Sequence, residues 1–170
     1  LIVFTDLGVV MVPITEDVQS LRSAVDFLDP DLLSAGGTNI AAGLETSRNM
    51  FPHGERRRKE LVLFSDGEHH RGDPRGVAHN LSRNHNITTH VVVLGQTEGA
   101  RIPAEEGGDI LDDTGNPVLS RSNPVLLQAI ADAGGGVYVQ GSDLDAPRQL
   151  FSKLELSEGE RLRLTRSSLY

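Results

Sequence analysis

Cysteine and tryptophan are both absent from the 170 residues, which removes disulfides, thiolate metal ligands and thiol nucleophiles from consideration. Aromatic side chains make up only 4% of the chain, so aliphatic residues must fill the core. No apolar run approaches the roughly 18 to 20 residues that a membrane span demands, and the stretch as it stands is expected to be soluble. Positive charge is also scarce. With 16 Lys and Arg against 24 Asp and Glu the formal net charge is -8, a poor match for a phosphate backbone, so nucleic acid is not an expected partner. Three catalytic signatures are missing as well. "GGTNIAAG" lacks the lysine of a P-loop, no Rossmann glycine fingerprint occurs, and no Gly-x-Ser-x-Gly elbow presents a nucleophile.

What is present fits one globular domain: 38% hydrophobic and 24% charged residues in a chain long enough to bury a core without staples. "LIVFT" and "VVMVPI" are short β-branched runs around a tight turn at Asp6 to Gly8, which predicts an antiparallel hairpin, with Pro13 confining the second strand to a sheet edge. Val18, Leu21, Val25 and Leu28 recur at helical spacing, with Thr15 in the N-cap position and an end near Asp29, before Pro30. A second helix is predicted from Asn39 to Met50. "ELVLFS" reads as a buried strand, "DGEHHRGDP" as a loop, and Pro74 as the first turn of a helix reaching about Asn84.

Ile87 to Leu94 forms the next strand, and the long segment from there to Asn123 contains "DILDDTGNPVLS", a small hairpin around Gly-Asn. "NPVLLQAIADAG" is a capped helix stopped by Gly134 to Gly136, followed by the strand "GVYVQ" and the helix "DAPRQLFSKLEL". Strand and helix alternating in this way mark an α/β fold with a mostly parallel sheet, doubly wound and Rossmann-like, carrying an antiparallel edge hairpin.

In such sheets ligands gather at the carboxyl ends of the strands. "FSDGE" delivers Asp66 there directly from a strand, and "GGTN" brings Thr38 to the start of a helix on glycines that allow close approach. An alcohol, a carboxylate and water suit a hard divalent cation such as Mg²⁺, whereas zinc prefers nitrogen and sulfur. Each segment also has a plain structural reading: Thr38 or Asn39 as an N-cap, and Asp66-Gly67 as an ordinary turn.

Taken together and in order, "LIVFTDLGVVMVPIT", "GGTNIAAGLETS", "LVLFSDGEHHRGDP", "HVVVLG" and "LLQAIADAGGGVYV" resemble the von Willebrand factor A domain family. "IPAEEGGDILDDTGNPVLSRSN" further resembles the membrane-associated Bat-type (aerotolerance) branch, which has a similar insertion. The resemblance implies a metal-ion-dependent adhesion site with Thr38 and Asp66 as metal ligands, a rim of Gly37, Asn39, Gly67 and Glu68 facing the partner, and Mg²⁺ or Mn²⁺ as the ion. It also implies a central first strand ending in Asp-x-Ser-x-Ser, between the hairpin and "LVLFS". No such motif occurs in these residues, so the cation should be weakly held and the two neighbouring strand edges left unpaired. Residues 1–155 are expected to form the domain. Residues 156–170, with Arg161, Arg163 and Arg166 between leucines, are a tail that the resemblance places just before a membrane anchor.

Two further clusters carry less. His69 and His70 beside Asp73 lack the spacing of a zinc site and read as a solvated loop, and the basic "GERRRKE" reads the same way. The leading function is therefore a non-enzymatic module that binds a protein partner's Asp or Glu through the cation, with no small-molecule substrate. The alternatives are a degenerate scaffold that binds no metal, and a haloacid-dehalogenase-type phosphotransferase with Asp66 as nucleophile. The last needs a lysine downstream, and after Lys59 the chain has only Lys153.

Overall fold

The computed structural model of the chain describes residues 1–29, 37–52, 59–95, 99–101, 107–109, 111, 115–117, 119–120 and 122–153. The expectations for the 156–170 tail, and most of those for the basic "GERRRKE" run, lie outside these residues.

The chain opens with the hairpin of β1 (Ile2–Phe4) and β2 (Gly8–Val10), paired in the register Ile2 to Val10 and Phe4 to Gly8. Pro13 lies beyond the second strand, so the ladder never meets its missing donor. Helix α1 (Val18–Asp26) is capped by Asp17, whose Oδ1 accepts from the Gln19 and Ser20 backbone N–H groups at 3.0 and 3.1 Å. The Ser20 hydroxyl also donates to Asp17 Oδ2 at 2.6 Å, and this bond above all holds the carboxyl below its usual range. Thr15, the expected cap, instead accepts from the Asp17 N–H, and the helix stops at Asp26 rather than near Asp29. None of the α1 residues is buried. Val18, Leu21 and Val25 stay exposed along its apolar stripe.

Three parallel strands form the main sheet in the order β3 (Lys59–Ser65), β4 (Ile87–Val93), β7 (Gly135–Gln140). Helices α2 (Ile40–Arg48), α3 (Pro74–His85) and α4 (Pro124–Gly134) cover one face. There Ile40, Leu44, Leu63, Leu81, Val91, Leu127 and Ile130 make the principal core. Full burial of each such aliphatic side chain contributes roughly 1.5 to 3 kcal/mol. Helix α5 (Ala146–Lys153) covers the other face, with Ala146 and Leu150 against Val92 and Val139.

The caps are local and follow the sequence. Asp73 and Asn123 accept from N–H groups three residues on, each before a proline at the first helical turn. Asn86 (φ 55°) and Gly135 (φ 69°) end α3 and α4 in the left-handed conformation. The small hairpin expected around Gly-Asn shows as an antiparallel bridge between Leu111 and Pro117, and its far end, β6 (Leu119–Ser120), pairs with β5 (Ala100–Arg101), a strand outside the expected segment.

The separation expected between the hairpin and β3 is present. The first hairpin shares no ladder with the main sheet among the described residues. β1 and β2 form a sheet of their own, tied to the rest through α2, which packs on both hairpin strands and on α3. One expectation changes: β3 is not a buried strand, for Phe64 is 57% exposed and only Leu63 and Ser65 of its residues are buried. The cause is common to both. A cavity of about 1140 Å³ lies between β1 and β3, lined by residues of both strands, by Gly43, Leu44 and Ser47 of α2, and by Leu21 and Val25 of α1.

Candidate functional site

The rim of this cavity is built where the hairpin turn, the start of α2 and the loop after β3 meet. Asn39 caps α2. Its Oδ1 accepts from the Ala42 N–H at 3.1 Å, its Nδ2 donates to the Asp6 carbonyl at 3.4 Å, and its own N–H donates to the Thr5 carbonyl at 2.8 Å. A second cap arrives from 29 residues away, as the Ile40 N–H donates to His69 Nδ1 at 3.3 Å. Accepting at Nδ1 leaves the ring proton on Nε2, which faces the Gly72 carbonyl at 3.2 Å. Two of the four N–H groups that any helix start leaves without partners are thus satisfied by side chains.

His69 is therefore part of the fold rather than of a solvated loop, and both its ring nitrogens are engaged. Thr38 in turn has no capping work. Its carbonyl accepts from the His70 N–H at 3.0 Å, which binds the threonine loop to the aspartate loop. Its hydroxyl has no hydrogen-bond partner among the described residues, and the half-buried side chain lines the cavity.

Asp66 lines the same cavity. Its Oδ1 accepts from the Glu68 N–H at 3.0 Å, closing an Asx turn, and its carbonyl accepts from the Asn123 N–H at 2.7 Å. Oδ2 accepts no hydrogen bond among the described residues. Gly67 has φ 86°, and its N–H donates to Ser65 Oγ at 3.0 Å. Gly37 has φ 104°, and a Cβ there would lie 2.8 Å from Asp6 Oδ1. Glu68 is half-buried beside Asp66.

Thr38 and Asp66 are thus brought to one cavity, and the two glycines fix the backbone that presents them. Asn39 differs in kind, since its side chain is spent on the helix start and on the hairpin turn. Three further groups belong to this neighbourhood. Asp6 contributes a carboxylate against Gly37, although its place in "TDLG" signals no more than a turn. Ser65 is buried on the cavity wall. Ser122 Oγ is also buried on that wall and has no hydrogen-bond partner among the described residues. No local pattern in the sequence singles out either serine.

The division of labour between neighbours is measurable. Asn39→Ala is expected to cost about 1 kcal/mol through loss of the cap. Thr38→Ala, which removes an unbonded hydroxyl, should stay within about 0.5 kcal/mol of the parent. Urea denaturation of the two variants checks the contrast, and equal losses would mean that Thr38 shares the capping.

Comparison with known proteins places this rim in context. Residues 1–69 match the family model described as von Willebrand factor type A domain. No curated protein sequence matches the chain. Among solved structures, an aerotolerance-related membrane protein from Bacteroides fragilis superposes with a TM-score of 0.82 at 28% identity, over 89% of this chain and 76% of the other. BatB from Bacteroides thetaiotaomicron gives 0.82 at 27% identity, over 97% and 78%. Proximal thread matrix protein 1 of the mussel byssus, with a zinc-occupied MIDAS motif, gives 0.58 at 17% identity over 89% and 32%, a likeness of fold alone. The resemblance to the von Willebrand factor A family and its Bat-type branch is borne out, and with it the Rossmann-like α/β class.

Proposed function

We propose that the chain is a non-enzymatic protein-interaction module of the von Willebrand factor A type, gripping a partner's Asp or Glu through a divalent cation held by Thr38 and Asp66. The observation that carries this reading is the pairing of Asn39 and His69 at the start of α2. They do the structural work of the loop and leave the Thr38 hydroxyl uncommitted at the cavity that Asp66 also lines.

The donor set suits a hard cation only in part. Thr38 Oγ1 and Asp66 Oδ2 are oxygen donors without other partners among the described residues, and such ions accept oxygen and keep several waters. Among the described residues no three or more His, Asp and Glu side chains cluster as a metal cage, so the grip is weak and water completes the shell. When bound, the cation supplies the positive charge to which a partner carboxylate adds itself as ligand. Gly37 and Glu68 form the surrounding rim and Asn39 holds it in place, whereas Gly67, expected on that rim, is buried against Asn123 and Leu127 and shapes the loop from beneath. Mg²⁺ or Mn²⁺ is the ion favoured by the donor chemistry, but zinc in the motif of the mussel protein makes Zn²⁺ a necessary third member of any panel.

Phosphotransfer through Asp66 is disfavoured by position. Lys153 closes α5, which packs on β7, and β7 is the strand at the opposite side of the sheet from β3. The Bacteroides fragilis relative is described as a membrane protein, which supports anchoring of this module at a membrane. Among the described residues no helix is long and apolar enough to cross one.

Thermal unfolding with Mg²⁺, Mn²⁺, Zn²⁺ or chelator tests the reading. A cation at about five times its Kd should stabilise the fold by roughly 1 kcal/mol. Thr38→Ala and Asp66→Ala should each erase that gain. Indifference of the parent to all three ions would leave the degenerate scaffold as the better account.

A further inference from the structure

Helix α3 differs from its neighbours in charge. Its 12 residues include Arg75, His79, Arg83 and His85 and no Asp or Glu, a local reversal in a chain whose formal net charge is -8. Arg75, His79 and Arg83 are all exposed and stand four residues apart. They therefore line one face of the helix, one per turn, about 6 Å from one to the next along an axis that rises ~1.5 Å per residue. Beside them runs a second exposed row, Gly76, Asn80 and Asn84, which carries no charge. The opposite face, with Ala78 and Leu81, is buried in the principal core.

The basic row has no work inside the fold. Arginines of α2 and α5 pair with the carboxylate three residues before them, Arg48 with Glu45 at 3.2 Å and Arg148 with Asp145 at 3.8 Å. Three residues before Arg75 stands Gly72, and three before Arg83 stands Asn80. The side chains of Arg75, His79 and Arg83 make no ion pair or hydrogen bond among the described residues. Asp73, at the head of the helix, is spent on the cap, where its Oδ1 accepts from the Gly76 N–H at 2.9 Å. Nor does helix stability account for the row. Arg83 suits the last turn, but Arg75 lies in the first, where the positive end of the helix dipole disfavours a cation.

We propose that α3 is a docking ridge for an acidic helix of a partner protein, which sets Glu or Asp from three successive turns against Arg75, His79 and Arg83. A helix with carboxylates at i, i+4 and i+8 repeats the same ~6 Å spacing, and its ridge fits the groove between the basic row and the row of Gly76, Asn80 and Asn84. A broad anionic surface fits less well. The helices packed on either side of α3 carry carboxylates, Glu45 on α2 and Asp132 on α4, which a membrane would meet together with the ridge and a single helix laid along α3 need not. Exposed ion pairs are weak and screened by salt, so the ridge supplies partner choice and speed of association more than strength. It belongs to α3 alone and needs no cation at the rim.

Amide NMR of the whole chain at low ionic strength, titrated with two peptides, tests it. The first peptide is an alanine-rich helix with Glu at three successive i, i+4 positions. The second has the same composition, with its glutamates on different faces of the helix. The first should shift the α3 amides saturably at one per chain, in chelator as well as in Mg²⁺, and bind at least fivefold more tightly than the second. Arg75→Gln and Arg83→Gln together should weaken it at least tenfold, while Arg148→Gln, exposed on α5, should leave it unchanged. Equal affinity for the two peptides overturns the proposal, because a diffuse positive field would then suffice. So does the absence of saturable shifts on α3. Two results would reassign the ridge and overturn it as well: phosphatidylserine vesicles that bind the parent but not the double variant while neither peptide binds, or a concentration-dependent dimer that the double variant loses under the same condition. Failure of the cation reading shows separately, as an absent metal response in Tm with peptide docking intact.

Discussion

Gly136→Ala is expected to destabilise the protein by about 3 kcal/mol, at the upper end of the usual penalty for overpacking. A Cβ at this position would sit 2.9 Å from the His90 backbone nitrogen and closer still to the Thr89 carbonyl oxygen, both of them main-chain atoms of the central strand. Neither can swing aside as a long side chain would. The reason for the crowding is a bulge. From the pair Thr89 and Gly135 to the pair Val91 and Tyr138, β7 takes three steps where β4 takes two. Within it the Val137 N–H turns to His90 Nδ1 at 3.2 Å, and His90 Nε2 lies 2.9 Å from Glu60 Oε2. The substitution must therefore part β4 from β7 and disturb the buried His90 together. Urea denaturation gives the energy, and the His90 ring resonances report the displacement. Gly107→Ala is the comparison. It has φ 91° and nothing within 4 Å of a Cβ, so it should lose only about 1 kcal/mol from backbone strain. Equal losses at both sites would mean that the bulge absorbs the methyl.

Gly67→Ala should cost about 2 to 3 kcal/mol and abolish the response to divalent cations. Its φ of 86° alone makes a side chain unfavourable by about 1 to 2 kcal/mol. A Cβ would also lie 2.7 Å from the Asn123 carbonyl oxygen and 3.0 Å from Leu127 Cγ, in the first turn of α4. Relief requires the loop to move away from α4, and the bond between the Asn123 N–H and the Asp66 carbonyl breaks as it does. Asp66 then loses its fixed direction at the rim. Denaturation measures the first effect, and the metal-dependent change in Tm measures the second. A variant that is destabilised yet still stabilised by the ion would show that Asp66 is placed by its Asx turn alone.

The parts of the fold legible in the sequence are those decided by near neighbours. Asn123-Pro124 and Asp73-Pro74 open helices at the expected positions, because a cap and a proline act within one turn. The hairpin turn at Asp6 to Gly8 and the Gly-Asn hairpin follow from residues that favour tight reversals. Asp17 displaced Thr15 as the cap of α1 within the same short stretch, two acceptors competing for one helix start. Distance defeated the rest. His69 caps α2 from a loop that only the fold brings near, and two adjacent histidines give no sign of which one will do so. The separation of the hairpin from β3 was foreseen only through the family resemblance. Apolar pattern says that Phe64 and Leu21 seek cover, and both remain exposed. For the site, the residue types Thr38 and Asp66 were legible, while the idle hydroxyl of Thr38 became visible only once Asn39 and His69 were seen to share its expected task.

The hairpin's attachment through α2 has a kinetic consequence. β1 and β2 share no ladder with the central strands, so their amides need not wait for global unfolding to meet solvent. Native-state deuterium uptake should divide the molecule into a lower-energy unit of hairpin plus α2 and a higher-energy unit around β4. The hinge of that division passes through Asn39, whose amide and side chain bond to the hairpin turn while its Oδ1 holds the helix.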